Sequence, residues 1–395
     1  MLSAAAILMI TMGARQSLGL FVAPINHDTG LGIVSISFAL AIGQFVWGAV
    51  QPVFGAIADK HGSTRVLTLG TLLLAAGLAL TPFAHSQLAL MTTLGILMAA
   101  GAGAGSFSIL IGATANQLPA ERRSFASGFI NAGGSAGQFL FAPLAQALIS
   151  SFGWMTAMLA LAASSLLSLP LIAGLRDGRR AQAPATASAP ASDMSLRDQL
   201  RIAMRERSYW FLHLGFFTCG VHIAFLVTHL PGEVALCGLP ASVSAASIAL
   251  IGLFNIAGSL SAGALGNIYR MKYVLGAMYA SRTLIIAIYL LSPRTPLTFY
   301  VFAAALGFSW LATVPPTAGL VGKLFGTRYL GTLFGFTLLS HQIGGFLGAW
   351  LGGLTIARFG DYGWMWYADM TLAAVAALAC LPIREAPLRR QLAPA

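Results

Sequence analysis

Apolar residues in this chain run in long stretches broken by short polar connections. Twelve such runs, at 3–26, 33–58, 64–84, 88–116, 124–150, 153–174, 209–231, 242–266, 272–292, 297–321, 329–356 and 362–383, reach the roughly 20 residues that cross a bilayer as a helix. Several connections are short and polar, such as His85-Ser86-Gln87 and Ser292-Pro293-Arg294-Thr295-Pro296. One differs. Residues 175–208 carry Arg176-Asp177-Gly178-Arg179-Arg180 and then AQAPATASAPASD, an Ala/Pro/Ser tract that cannot bury a core and reads as linker. Ser195 to Arg207 then reads as a short cationic amphipathic helix on the inner leaflet. The expected organisation is a six-helix half at 1–174, a cytoplasmic linker at 175–208 and a second six-helix half at 209–395.

Composition excludes a soluble domain. The chain is 57% hydrophobic and 8% charged, with a mean hydropathy of +0.80. The cations then orient it. Eighteen of the 22 Lys and Arg fall in or beside alternate connections: Lys60 and Arg65, Arg122 and Arg123, seven Arg from Arg176 to Arg207, Arg270 and Lys272, Lys323 and Arg328, and Arg384, Arg389 and Arg390. Cytoplasmic loops retain such charge, so both termini and the linker are expected in the cytoplasm of a multi-pass protein, the inner membrane if the cell is bacterial. The net charge of +11 follows from that topology and gives no reason to expect nucleic-acid binding. Cys219, Cys237 and Cys380 make neither a disulfide framework nor a metal spacing, so no metal or cofactor is expected. No removable signal peptide is visible, and without a GxxxxGK[ST] loop ATP is not the expected energy source.

The two halves repeat at an offset of 207 or 208 residues. Gly13, Arg15 and Pro24 align with Gly220, His222 and Pro231. GAIAD (Gly55–Asp59) aligns with GALGN (Gly263–Asn267), and SFGW (Ser151–Trp154) with RFGDYGW (Arg358–Trp364). A parallel repeat of this kind places a substrate site between the halves near mid-membrane.

With GAIADKHGSTR (Gly55–Arg65) falling between the second and third spans, the chain resembles the major facilitator superfamily. The resemblance implies an all-α membrane protein of twelve transmembrane helices in two pseudo-symmetric halves. It also implies that Gly55, Asp59, Gly62 and Arg65 form a gating loop that latches one half to the other. A plain helix-loop-helix turn is the alternative. The second copy has Asn267 in place of the acid, so its latch is expected to be weaker. GARQSLGLF (Gly13–Phe21), WGAVQPVFGAIAD (Trp47–Asp59) and LVGKLFGTRYLGTLFGFTLLSHQIGGFLGAWLGG (Leu320–Gly353) narrow the resemblance to bacterial relatives of the monocarboxylate porters. Animal members of that group carry an Asp and an Arg one turn apart in the eighth helix. Asn255 and Ser259 stand there in this chain, so that pair's anion binding and proton coupling do not carry over.

Arg15 and Arg282 sit midway along apolar runs, where a charge costs at least about 2.5–3.5 kcal/mol and therefore faces protein or water. No acid lies within helical reach of Arg15, and a guanidinium holds a carboxylate by two parallel bonds, so Arg15 is the first candidate to bind an anionic substrate. Arg282, in a helix that is peripheral in the superfamily, could turn inward to substrate or pair with Asp369. His222 and His229 are seven apart on one helical face, and His222 is the candidate proton carrier, with a neutral structural histidine as the alternative. His341 is a further candidate. The resemblance adds Ser106 and Ser108 on the fourth helix and Trp310 and Thr313 on the tenth, just before Pro315-Pro316, a pair expected to bend that helix. Glycines cluster in the fifth and eleventh helices and are read as close-packing positions. Asp369 is the only acid placed inside a span.

The expected function is secondary transport of a small organic anion by alternating access, with a proton as candidate coupling ion. Proton-driven efflux of drugs or hydrophobic metabolites is the alternative, against which buried Arg without buried acid argues. A non-transporting membrane sensor would need a signalling domain, for which the linker and tail are short. No nucleophile–base pair is visible, so an enzyme is not expected.

Overall fold

A computed structural model describes residues 1–115, 120–175, 195–326 and 329–386. Most of the linker, including its Ala/Pro/Ser tract, lies outside them. The described residues are helical throughout, with no strand among them. Twelve membrane helices are α1 (Leu2–Thr29), α2 (Ile33–His61), α3 (Ser63–Leu80), α4 (87–115), α5 (120–152), α6 (154–173), α7 (Arg207–Leu236), α8 (Ala241–Ile268), α9 (Met271–Leu291), α10 (Pro296–Phe325), α11 (Leu330–Phe359) and α12 (Gly363–Cys380). Helices α5 and α6 are separated by a sharp kink at Gly153, whose φ of 81° lies in the left-handed region that glycine adopts without strain. The expected boundaries hold to within a few residues, with one consequence. Helix α7 runs on to Leu236, past the expected end at 231, and carries the buried Glu233 near that end. Its carboxylate accepts from Tyr289 Oη (2.6 Å) near Arg294.

Packing repeats between the halves. Helix α1 packs on α5 as α7 packs on α11; α2 packs on α4 as α8 packs on α10; α3 packs on α6 as α9 packs on α12. The glycines of α5 and α11 make the first of these pairings possible. A Cβ on Gly137 would strike the Met9 carbonyl, and one on Gly348 the Val221 carbonyl, so small residues set the helix separation as expected. The halves meet where α2 crosses α11 and α5 crosses α8. They are pressed together toward the cation-poor end. Gly19 abuts the Val227 carbonyl, Gly353 abuts Ser37, and Phe38 stacks edge-on against Phe346 and Trp350 at 5.9 and 5.5 Å. Toward the cation-rich end, Gly128 and Gly335 face open space.

Helices α1, α4 and α10 are broken near mid-span. Helix α1 tightens into a 3-10 turn at Leu18–Phe21, α4 breaks at Gly105-Ser106, and α10 breaks between Ser309 and Val314, with Pro315 and Pro316 starting the second segment. The α4 and α10 breaks stand at matching positions of the repeat. Helix Leu196–Arg205 lies outside the bundle, capped by Ser195, with Arg197, Arg201 and Arg205 exposed and Gln199 donating to the Phe325 carbonyl at 3.0 Å.

Candidate functional site

Arg15 closes the first segment of α1. The turn beyond it swings the chain so that the buried guanidinium faces α2, where it donates to Gln44 Oε1 and lies 4.2 Å over the Trp47 ring. No carboxylate pairs with it among the described residues. Trp47 Nε1, a second buried donor, has no partner there. Arg15 borders a cavity of about 20 Å³, room for one water, lined by Gln44, Met98, Val227 and Thr228 among others. That lining comes from α1, α2, α4 and α7, so the cavity sits between the halves. The arrangement is a positive, donor-rich spot without an acid.

The second half contains the opposite arrangement. His222 Nδ1 meets Asp369 Oδ2 at 2.5 Å, both residues fully buried. Arg282, also fully buried, turns from α9 into the α10 break. It donates to the carbonyls of Ser309 and Trp310 (2.7 Å to Trp310) and to Ser309 Oγ at 3.3 Å, with its charge beside Cys219 and Asp369. These carbonyls end a half-helix and carry its negative dipole, so a guanidinium is their natural cap. Asn255 completes the repair. Its Oδ1 accepts from Leu311 N at 2.9 Å, and its Nδ2 donates to Ser135 Oγ of α5 at 2.9 Å, a bond between the halves. The α4 break is served differently: Thr11 of α1 reaches the Gly105 carbonyl at 3.3 Å, and Ser108 joins Ser106 (3.0 Å) to Gln51 (3.0 Å).

The structure therefore splits the sequence candidates. Arg15 borders the inter-half cavity. His222, Arg282 and Trp310 form a separate cluster inside the second half, with Arg282 bound to carbonyls. Trp310 is fully buried, its Nε1 without a partner among the described residues. Ser106 is buried at the α4 break, and His341 lies half-buried against the Phe216 ring at 5.2 Å. His229 is tied by Nε2 to the Ala349 carbonyl at 2.7 Å and by Nδ1 to Tyr362 Oη at 3.4 Å. In the loop between α2 and α3, Gly62 (φ 91°) makes the turn and Arg65 is exposed, while the side chains of Asp59 and of its counterpart Asn267 lie outside the described residues. Sequence reasoning missed Gln44, Trp47 and Glu233, and noted Asn255 only as a departure. The Trp47 signal was its place one turn from Gln44 on the helix facing Arg15.

Comparison with known proteins agrees with this architecture. The Major Facilitator Superfamily model matches residues 4–349. Monocarboxylate transporter 13 of Bos taurus is 27% identical over 355 residues, 89% of this chain and 81% of its own length. The oxalate:formate antiporter of Oxalobacter formigenes is 23% identical over 363 residues, covering 90% and 84%. Among solved structures, a D-xylose-proton symporter superposes with a TM-score of 0.73 at 14% identity, covering 97% of each chain, which speaks for the fold alone. The chain belongs to the major facilitator superfamily; it is a multi-pass membrane transporter and not an enzyme.

Proposed function

We propose that this transporter carries a small organic anion, monocarboxylate-like, by alternating access, with Arg15 holding the carboxylate and a proton as the coupling ion. The observation that carries the reading is Arg15 itself: a buried guanidinium between the halves, stacked on Trp47, bonded to a neutral amide and paired with no acid among the described residues. A buried cation without a counter-ion is costly, and a mobile carboxylate supplies what the protein does not. The water-sized cavity implies that the halves must part to admit substrate, and the close contacts at the cation-poor end are the ones that part. Relatives named for monocarboxylates and for oxalate and formate support an anionic class. In this reading the cation-rich end, both termini and the linker face the cytoplasm of a bacterial inner membrane, and residues 1–174 and 209–395 rock against each other.

The test is uptake of labelled two- to four-carbon monocarboxylates into proteoliposomes, with and without a pH gradient, paired with binding to purified protein. Losing one charge-assisted bidentate contact, about 1.5–3 kcal/mol, should weaken binding in Arg15→Gln by on the order of 10- to 100-fold. Arg15→Lys should fall between, keeping charge without the fork. Equal carboxylate affinity in Arg15→Gln and the parent would end this reading.

A further inference from the structure

We infer that His222 and Asp369 together form the proton-binding site of this carrier, that the proton is taken at His222 Nε2, and that the site is separate from the anion site at Arg15. The inference rests on the reading above that a proton is the coupled ion. The geometry assigns the atom. A carboxylate only accepts, so in the 2.5 Å contact Nδ1 carries the hydrogen and Asp369 Oδ2 receives it. That fixes the tautomer and leaves Nε2 as a bare lone pair, the basic nitrogen of the ring. Both Nε2 and Asp369 Oδ1 are buried without a partner among the described residues.

His229 is the internal control. It lies two turns further along the same helix, equally buried, and both of its nitrogens are partnered, by the Ala349 carbonyl and Tyr362. His213 Nε2 is likewise unpartnered among the described residues, but its Nδ1 meets only the Ser340 hydroxyl at 2.6 Å, so His222 differs from both in facing a buried carboxylate.

The surroundings set the charge balance. His222 meets Asp369 of α12 and the Trp310 ring of α10, and beyond Asp369 lies Arg282 of α9, which is itself beside Tyr279 of α9 and Cys219 of α7, with His341 of α11 next to Cys219 and Cys380 of α12 next to Tyr279. Arg282 and Asp369 cancel, so the cluster is neutral with His222 neutral. When a proton from water bonds to the Nε2 lone pair, an N–H forms, nothing leaves, and the cluster gains one positive charge. A bound carboxylate elsewhere in the same carrier offsets that charge, so proton and anion move together without net charge. Trp310, whose ring centre is 5.9 Å from that of His222 and whose carbonyl Arg282 holds, places the event at the α10 break.

The test uses purified full-length protein with 15N-labelled histidine, followed by NMR across pH. The His222 resonance is identified by its loss in His222→Gln, or in His222→Asn if that variant folds better. It should show Nδ1–H with bare Nε2 at high pH and take up a proton at Nε2 as pH falls. Asp369→Asn, removing the anionic partner, should lower that midpoint by about 1–3 units. Arg15→Gln should leave it in place. A His222 that stays neutral down to pH 5, or whose midpoint is the same in Asp369→Asn, overturns the proposal. Where Asp369→Asn does not fold, the parent titration decides alone. Carboxylate binding, measured separately, tells the two readings apart. A titrating His222 in a protein that binds no carboxylate upholds this site and ends the anion reading; a silent His222 in a protein that binds carboxylates does the reverse.

Discussion

The first half leaves its buried charge open, and the second half neutralises its own. Arg15 meets a neutral amide and an aromatic face. Its repeat partner His222 sits in a cluster with Asp369 and Arg282, whose own counterparts in the first half are Ala162 and Ala75. The same helix plan thus carries a site short of one negative charge and a site whose fixed charges cancel. A transporter that binds an ion and a counter-ion needs that asymmetry. A half already in balance can hold its shape with its site empty, while an unbalanced half gains from a ligand. The break in α10 shows the cost of the balanced arrangement. Opening the helix frees carbonyls and an N–H, and Arg282 and Asn255 must occupy them.

The comparison breaks first, and by most, on stability. Arg282→Ala would leave two half-helix carbonyls and the Asp369 charge unanswered, a loss of about 3–5 kcal/mol, typical of removing one partner from a buried charged network. Arg15→Ala removes a charge that nothing in its own half neutralises, so its thermal midpoint should stay near the parent's. Thermal unfolding of both purified variants without substrate measures this. Equal losses would mean that Arg15 is as structural as Arg282 and that the halves do not differ.

A smaller effect sharpens the comparison where the halves touch. Asn255→Ala abandons Leu311 N–H and breaks the bond to Ser135, so it should cost about 1–3 kcal/mol, whereas Ser135→Ala loses only the inter-half arm, about 1 kcal/mol. Both should loosen the packed state of the α5–α8 crossing. Cysteine labelling at the cation-poor end, faster in both variants than in the parent, is the readout. If only Asn255→Ala changes, the inter-half bond is idle and Asn255 serves α10 alone.

Much of this was legible in the sequence. Twelve apolar runs and a half-chain repeat gave the fold because bilayer thickness and the missing hydrogen-bonding solvent leave helices few alternatives. The α10 break was foreshadowed by Pro315-Pro316, and the glycines of α5 and α11 by their spacing. Partnerships were not legible. Whether Arg282 faced substrate or carbonyls depended on which way a nominally peripheral helix turned. His222 was visible as titratable, but its pairing with Asp369 spans 147 residues and depends on how α7 and α12 pack. Glu233 was missed because the run was ended at 231, at Pro231, and the helix continues through it.

The smallest effect concerns the cation-rich end, where the repeat itself is uneven. The first half has Asp59 at the end of α2, before the α2–α3 turn, and the second has Asn267 at the matching position. In the second half an acid arrives from outside the repeat: Glu385, beyond α12, accepts from Lys323 Nζ of α10 at 2.6 Å and from the first N–H groups of α9, Met271 at 3.1 Å and Lys272 at 3.5 Å. It caps α9 where the helix dipole favours a negative charge and ties three helices of one half together. Partial burial would raise its carboxyl, but the Lys323 bond and then the two backbone donors outweigh it and hold it below the usual glutamate range. A carboxylate depressed in the folded state stabilises at neutral pH and loses that contribution only as pH falls through its folded value. Thermal stability of Glu385→Gln should therefore sit a little below the parent at pH 7. The gap should persist through about pH 4.3, where an ordinary glutamate is half protonated, and close only in stronger acid. Because Lys323 is half exposed, the gap is small and should shrink with salt. A gap that closes above the ordinary glutamate range would show that the contact with Lys323 is not kept in solution.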